Sequence, residues 1–378
     1  MEDLTINSKI IKRIDIYENK EEIPPLKEER KNFIQNKMAR FYKLIKTKDE
    51  KYNPYLFISD TKGAIYIYEF CKDNKFIKIA NFDSICKDSK YILVDIIKSD
   101  KYDYYISLSL NPCINIFRIK NENKEIEILQ HINLKNKNNK IKYYKVFELN
   151  TKKRDYFTLF NEDKIELWAK NNNKDIVQYE KIYTLLYENY QNFNNEGNNN
   201  NEQEEDENIK TISNIYKIDD ESIVLLDRNK LEFIFIKLFE RNNNIVTIEI
   251  VNNIKIKGIE SQFEKINSLF VDKDYIFLGL NDSLILVSVP YGEKIQKYKI
   301  GKILQIKKIN DEKDTIMFVE TKENEFYFIK YKFEEFNGLK EESRIKYNKW
   351  IYKFDMINNG EIIAIYDIKG LITLVKLK

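Results

Sequence analysis

The sequence contains little of what most enzyme active sites require. Its 378 residues include three cysteines and one histidine, His131. Serine-type nucleophilic catalysis needs a histidine base, and the alternating apolar pattern around His131 predicts an exposed or edge strand position instead. No Cys-x-x-Cys, His-x-x-x-His, Gly-x-x-x-x-Gly-Lys or Gly-x-Gly-x-x-Gly motif occurs. We therefore predict a protein that is not an enzyme, with no catalytic residue, metal, cofactor or small-molecule substrate.

The cysteines and the apolar runs also exclude several classes of protein. Cys71, Cys86 and Cys113 lie 15 and 27 residues apart, which fits neither a disulfide framework nor a zinc site. A sparse, odd number of cysteines is typical of a reducing compartment. The N-terminal residues contain charges throughout and no apolar signal-peptide core, and runs such as 284–290 are much shorter than the roughly 20 residues that span a bilayer. We expect a cytoplasmic or nuclear protein with no membrane insertion.

Glycine and proline are scarce, with 9 and 5 residues respectively. Asn and Asp must therefore form most turns, because both tolerate the left-handed conformation and bond their own backbone. Aromatic residues make up 13% of the chain, and together with the many β-branched residues they favour strands. The net charge of +3 gives no general argument for binding nucleic acid or membranes.

A pair of apolar strands separated by a polar turn recurs seven times along the chain. The seven hairpins are residues 55–70, 104–119, 155–170, 221–236, 274–289, 314–329 and 361–376. Another strand candidate precedes most of them and a fourth follows most of them. Four strands repeated seven times predict an all-β fold, a seven-bladed β-propeller. A β-sandwich array or two separate β domains are the alternatives, and the even recurrence argues against both.

The two ends of the sequence predict how the ring closes. The last unit contains three strands, the third at 371–377, whereas residues 9–17 form a strand-like segment with no unit of its own. Unpaired sheet edges promote aggregation, and closure removes them. We therefore expect the N-terminal strand to complete the last blade by pairing with 371–377.

Residues 9–378 resemble the WD40-repeat family. The resemblance rests on the blade length, on turns such as Asp-Thr-Lys-Gly at 60–63 and Asp-Ile-Lys-Gly at 367–370, and on Leu-Trp-Ala at 167–169 in place of a Trp-Asp ending. The family's Gly-His pair is absent, because His131 follows Gln130. The Asp–His–Ser/Thr–Trp hydrogen-bond network of the family therefore cannot form in any blade.

We divide the chain into an N-terminal strand at 1–20, a helical or linker segment at 21–38 and a propeller at 39–378. Helical spacing of apolar residues after a Pro-Pro pair predicts a helix at about 26–38, which packs on the propeller or, alternatively, docks a partner. Residues 191–208 are polar, Asn-rich and acidic. Such a composition cannot bury a core, so we predict a disordered insertion.

The turns between the second and third strands of the blades are the candidate binding surface. In a propeller these b–c turns emerge on one face, together with the connections from the fourth strand of one blade to the first strand of the next. Basic residues recur there, and we predict that partners contact Lys62, Lys135, Lys137, Lys140, Lys164, Arg228, Lys230, Lys322 and Lys369. Polar turns also carry charge for solubility alone, so this pattern does not identify a partner.

Two functions remain open on the sequence. The first is a non-catalytic scaffold that binds protein partners in a multi-subunit complex, since rigid propellers hold recognition loops in fixed positions. The second is an RNA-associated propeller, such as the non-catalytic subunit of a tRNA-modifying methyltransferase complex, because basic loops bind phosphate. A phosphoinositide-binding propeller is set aside, because its paired-arginine motif is absent.

Overall fold

A computed structural model describes the strands of the chain and the short turns that join some of them. The described residues are 9–15, 39–45, 53–60, 65–71, 75–82, 93–99, 103–110, 113–120, 123–134, 145–151, 155–161, 164–171, 177–186, 212–227, 232–241, 246–256, 266–271, 275–289, 293–308, 315–322, 325–334, 338–347, 351, 353–357, 362–366 and 371–376. The predicted helix at 26–38 and the predicted insertion at 191–208 lie outside them and remain predictions.

The regular secondary structure of the described residues consists of β-strands. In chain order these are β1 (Lys9–Asp15), β2 (Ala39–Ile45), β3 (Tyr55–Asp60), β4 (Ile65–Cys71), β5 (Lys75–Phe82), β6 (Leu93–Lys98), β7 (Tyr105–Ser109), β8 (Cys113–Ile119), β9 (Ile126–Asn133), β10 (Lys145–Asn150), β11 (Asp155–Phe160), β12 (Lys164–Lys170), β13 (Tyr179–Leu186), β14 (Ile212–Lys217), β15 (Ser222–Asp227), β16 (Glu232–Glu240), β17 (Val246–Lys255), β18 (Ser268–Val271), β19 (Tyr275–Gly279), β20 (Ser283–Ser288), β21 (Lys294–Lys299), β22 (Lys302–Lys308), β23 (Thr315–Lys322), β24 (Glu325–Glu334), β25 (Gly338–Tyr347), β26 (Lys353–Ile357), β27 (Ile362–Tyr366) and β28 (Leu371–Lys376).

These strands form seven four-stranded antiparallel sheets. Blades 1 to 6 are β2–β5, β6–β9, β10–β13, β14–β17, β18–β21 and β22–β25, each in sequence order. Blade 7 has the order β1-β28-β27-β26, and β1 pairs antiparallel with β28 from Lys9 opposite Lys376 to Asp15 opposite Leu371. The fold is therefore a seven-bladed β-propeller in which the N-terminal strand completes the last blade, and both predictions are confirmed.

The chain divides into two compact units, each with its own core between neighbouring blades. Unit 2, Ser84–Lys255, contains blades 2 to 4, and unit 1, Met1–Asp83 with Ile256–Lys378, contains blades 1, 5, 6 and 7. In unit 2 one apolar cluster lies between blades 2 and 3 and another between blades 3 and 4. In unit 1 three clusters join blades 5 and 6, 6 and 7, and 7 and 1. Strands buried on both faces explain the nearly continuous apolar runs in the sequence.

The fourth strand of each blade contains a β-bulge, a feature that the sequence did not predict. The register between the third and fourth strands shifts once in each blade. The residues skipped in the pairing are Ile79, Leu129, Ile182, Val251, Ile295, Glu342 and Ile11. A bulge leaves one residue unpaired and twists the strand, which makes an outer sheet edge a poor template for another strand.

Side-chain bonds to the backbone of the next blade tie neighbouring sheets together. In unit 2 the Val146 amide donates to Asp95 Oδ2 at 3.2 Å, and Gln130 bonds both the amide and the carbonyl of Tyr179 at 2.7 and 3.0 Å. The bonds of Gln130 join fourth strands, whereas the bond of Asp95 joins first strands. Such contacts satisfy backbone groups at sheet edges that would otherwise need water.

Unit 1 contains equivalent ties between first strands. Gln305 of blade 6 bonds the amide and the carbonyl of Phe354 in blade 7, at 3.1 and 3.2 Å. The amide of Ile306 donates to Ser268 Oγ of blade 5 at 2.9 Å. These bonds join neighbouring blades in a chain whose sequence cannot form the Asp–His–Ser/Thr–Trp hydrogen-bond network of the WD40 family. In unit 2 the sole histidine, His131, lies in blade 2, whereas Trp168 lies in blade 3, stacked on Phe157 at 5.8 Å.

Candidate interaction surface

Two of the nine predicted contact residues lie in described parts of the chain. Lys164 is the first residue of β12, directly after the b–c turn of blade 3, and Lys322 is the last residue of β23. Lys322 therefore lies in the sheet, where it pairs with Glu325 at the start of β24. The remaining seven lie outside the described residues and stay predictions: Lys62, Lys135, Lys137, Lys140, Arg228, Lys230 and Lys369.

The b–c turn of blade 3 is closed by its asparagine. The Asn161 side chain accepts a 2.7 Å bond from the Lys164 amide, and the Asn161 amide donates to the Lys164 carbonyl at 3.1 Å. This local bonding is why Asn replaces Gly in turns of this sequence. It fixes the direction in which β12, and with it Lys164, leaves the turn.

Lys164 belongs to a small ionic cluster that is rich in positive charge. Its ammonium lies 2.6 Å from Glu166 Oε1, and the ammonium of Lys181 on β13 lies 3.5 Å from the same oxygen. The side chain of Glu166 is only 3% exposed, whereas that of Lys181 is 47% exposed. These three side chains together carry one net positive charge, whereas Glu162 and Asp163, which precede Lys164 in the sequence, lie outside the described residues. Because Glu166 lies two residues after Lys164 on the same strand face, the period-2 pattern contained a signal for this pair.

Two leucines are exposed at the same end of blades 2 and 3. Leu110 follows β7 in the b–c turn of blade 2 and is 46% exposed. Leu186, 41% exposed, ends β13 and pairs with Lys164 across the sheet. Lys145 starts β10 at this end, opposite Phe160, and its ammonium lies 5.8 Å from the ring of Phe147. The b–c end of blades 2 and 3, defined by Leu110, Lys145, Lys164 and Leu186, thus combines lysines with aliphatic side chains.

The opposite end of blade 2 has a different electrostatic character. There Lys98 pairs with Asp103 at 3.7 Å, and Glu127 is contacted by Arg118 at 2.6 Å and by Lys120 at 3.8 Å. Hydrogen bonding to Arg118 holds the pKa of the exposed Glu127 carboxyl below its ordinary value. Surface pairs of this kind contribute little to stability, but they balance the local charge.

A buried polar cluster lies between blades 2 and 3, away from the b–c turns. The hydroxyls of Tyr104 and Tyr179 lie 2.6 Å apart, and Ser99 donates to Glu148 at 2.8 Å. Burial raises the pKa of both tyrosine hydroxyls far above the ordinary value, so they stay protonated and neutral. The two hydroxyls can therefore donate and accept hydrogen bonds, but neither acts as a general base near neutral pH.

The described part of unit 1 contains a buried ionic cluster centred on Asp355 of β26. Its carboxylate accepts hydrogen bonds from the ammonium of Lys307 in blade 6 and from the Leu44 amide in blade 1. The nearby Lys353 donates to the Tyr42 carbonyl of blade 1. Burial acts to raise the pKa of Asp355, but the charges of Lys307 and Lys353 outweigh it, so the pKa lies below its ordinary value. The carboxylate is therefore charged at neutral pH and links three blades.

Within the described ranges, no group of three or more His, Cys, Asp or Glu residues is placed to hold a metal ion. The same ranges contain no helix that is long and apolar enough to cross a membrane. Neither of the described cysteines, Cys71 and Cys113, forms a disulfide bond.

No protein-family model matches the sequence, and no curated protein sequence does either. Solved WD40 structures do match the fold. The structure of RRP9 WD40 repeats has a TM-score of 0.55 at 10% identity, covering 90% of this chain and 97% of that one. Sqt1 of Saccharomyces cerevisiae has a TM-score of 0.53 at 10% identity, covering 86% and 81%. A chain of a mitotic checkpoint complex has a TM-score of 0.57 at 8% identity, covering 100% and 94%. At these identities the likeness shows the fold alone, which is that of the WD40 propellers.

Proposed function

We propose that this protein is a non-catalytic scaffold that binds protein partners through the b–c turns of its propeller. The observation that carries the proposal is the b–c end of blades 2 and 3, where lysines and exposed leucines occur together. Polar rims with apolar anchors are typical of protein interfaces. The fold shared with WD40 proteins, one of them a chain in a solved multi-protein complex, supports the same role.

The alternative of an RNA-associated subunit uses the same basic turns. Phosphate contacts come from lysines, arginines, other polar side chains and backbone amides, and exposed leucines make none of them. Leu110 and Leu186 therefore favour a protein partner over RNA. The partner's identity, the complex to which it belongs and the cytoplasmic or nuclear location remain predictions.

The test is a charge reversal on the predicted surface. In the full chain, Lys62, Lys164, Arg228 and Lys369 are changed to Glu, and the tagged variant and the unchanged protein are purified from the source cell. We expect the variant to lose specific protein partners. Because Lys164 lies beside the buried Glu166 carboxylate, reversing its charge should also lower the stability by more than an ordinary surface change does. A second variant that changes only Lys62, Arg228 and Lys369 should therefore lose the same partners without that loss of stability.

A matched control reverses four exposed charges at the other end of blades 2 and 4: Arg118, Lys120, Lys237 and Arg241. This variant should keep its partners. RNA retention is measured in parallel at low and at physiological salt. Loss of RNA with a flattened salt dependence, and no loss of protein partners, would favour the RNA-associated subunit. Retention of both by the first variant would show that this face is not the binding surface.

A further inference from the structure

A row of three lysines lies on one face of β21, the outer strand of blade 5. In a regular strand Lys294 would point away from Lys297 and Lys299, because alternate residues point to opposite faces. The β-bulge changes the phase, since Ile295 is skipped in the pairing with β20 and one extra residue moves those beyond it to the other face. The bulge, which the sequence pattern does not predict, therefore brings the three lysines onto one face.

The pairing with β20 gives the spacing of this lysine row. The three lysines lie opposite alternate residues of β20, namely Val287, Ile285 and Ser283. Alternate residues of an antiparallel strand are ~6.8 Å apart, so the row repeats a positive charge at about that interval. Lys294 and Lys299 are exposed, and Lys297 is half-buried. The row is therefore accessible at both of its ends.

The charged residues around the row within blade 5 are all described from 275 to 308. In this range only 290–292, Pro-Tyr-Gly, lie outside the described residues, and none of the three is charged. The range contains two acidic residues. Asp282 accepts a 2.8 Å bond from the Ser283 hydroxyl, and Glu293 directly precedes β21, out of phase with Lys294, since adjacent residues of an extended chain point in opposite directions. The two carboxylates thus lie at the ends of the row and do not interrupt it.

An exposed aliphatic side chain accompanies the lysines. Ile295, the bulge residue, directly follows Lys294 and is 51% exposed. Burial of such a side chain favours binding of a ligand with apolar groups, whereas phosphates gain nothing from it. An extended peptide has side chains at the same ~6.8 Å repeat as the row and can carry both carboxylates and apolar groups. The row and Ile295 together therefore favour a peptide over a nucleic acid.

We propose that the outer strand of blade 5 binds an extended acidic segment of a partner protein, in which Asp or Glu occupies every second position. Its carboxylates contact Lys294, Lys297 and Lys299, and an apolar side chain of the segment packs on Ile295. Opposite charge sets the rate and the specificity of the encounter. The contacts are made by side chains, because the bulge makes the strand edge a poor template for backbone pairing.

This surface is separate from the b–c turns, so the inference adds a second binding surface to the proposed scaffold. Lysines on an outer strand also have a simpler role, since charge at a sheet edge prevents pairing with other chains. That role needs only a charge of either sign, whereas recognition of an acidic segment needs a positive charge. Reversal of the charge therefore separates the two roles.

The experiment measures fluorescence anisotropy of short labelled probes with the full chain. In the main probe Glu alternates with Val or Thr. A second peptide carries the same number of Glu residues at every third position, a third replaces Glu by Lys, and the last probe is single-stranded oligo-U RNA. We expect the main probe to bind at least about fivefold more tightly than each of the others, because only its charges match the spacing and the sign of the row.

Charge-reversal variants locate the site. Lys294→Glu with Lys299→Glu should weaken the main probe by about fivefold or more and should bind the Lys probe more tightly than the unchanged protein does. The matched control is Lys332→Glu with Lys340→Glu, two exposed lysines that pair between β24 and β25 of blade 6. It changes the net charge equally and should leave the main probe within about twofold.

A second pair of variants tests the aliphatic contact. Ile295→Ser should weaken the main probe by about threefold or more, and Ile77→Ser, a change of a 52% exposed isoleucine on β5, should leave it within about twofold.

Several results would overturn the inference. They are equal binding of the RNA or of the peptide with Glu at every third position, equal weakening by the two charge-reversal variants, and equal weakening by the two serine variants. If the main probe does not bind while the variant of Lys62, Arg228 and Lys369 still loses cellular partners, the inference fails and the proposed function stands. Binding of the main probe to the row, with partners retained by that variant, would give the converse.

Discussion

Replacing Asp355 with alanine is expected to destabilise unit 1 strongly. The change removes the acceptor for the Lys307 ammonium and for the Leu44 amide, so bonds from blade 7 to both neighbouring blades are lost at once. The side chain of Asp355 is 8% exposed, so water cannot replace these contacts without opening the sheet edges. Tyr42 and Tyr366, stacked at 4.7 Å between blades 1 and 7, pack beside the site and would lose part of their support.

The size of the effect follows from the burial of the two partners. Removing one member of a buried ion pair costs about 3–5 kcal/mol, because the other charge is left uncompensated. Lys307 is 27% exposed and can partly regain hydration, which reduces that cost. We therefore expect Asp355→Ala to lower the free energy of unfolding by about 2–4 kcal/mol.

The charge of Asp355 also predicts a pH dependence. Its pKa in the folded protein lies below the ordinary value, which is about 3.9 for Asp in an unfolded chain. Its contribution to stability is therefore fully present above about pH 4 and is lost as the pH falls through the folded pKa. Asp355→Asn removes this titration, so its free energy of unfolding should fall less steeply than that of the unchanged protein below about pH 4.

The assay is urea unfolding followed by circular dichroism, with a double-mutant cycle that combines Asp355→Ala and Lys307→Met. A direct interaction should give a coupling energy above about 1 kcal/mol. Asp103→Ala is the control, because the Asp103 side chain is 58% exposed and water can replace its 3.7 Å contact with Lys98, so the change should cost less than about 0.5 kcal/mol. If Asp355→Ala unfolds like Asp103→Ala, the buried ionic cluster does not hold the blades together and the reasoning is refuted.

Three further changes test the rest of the fold. Removing residues 1–20 should expose β28 as an unpaired edge and cause aggregation in light scattering, and a truncated chain that melts like the full one would contradict closure. Gly279→Ala places a Cβ 2.5 Å from Ile303 Cγ2, so urea unfolding should show a loss of about 1–3 kcal/mol, whereas an unchanged midpoint would mean that blades 5 and 6 separate freely. Deleting 191–208 should change the melting temperature little, because loop-closure entropy varies slowly with length, and protection of its amides from hydrogen exchange would contradict the predicted disorder.

The sequence by itself determined the strands and their grouping into blades. Apolar alternation and Asn or Asp turns are local signals, and they predicted β28 and its pairing with the N-terminal strand. Where the local pattern weakens, the sequence gives no strand boundary. The fourth strand of blade 6, β25, begins at Gly338, although the residues at its start are mostly polar and show no apolar alternation.

Only the tertiary structure decided which groups meet between blades. The Asp355 carboxylate contacts an amide 311 residues away in the sequence, and no local pattern encodes such a pairing. The bulge in the fourth strand of each blade also depends on how neighbouring sheets pack. The same is true of the exposure of Leu110 and Leu186. Periodicity records which face of a strand is apolar, whereas exposure and partners are set by the strand that lies against that face.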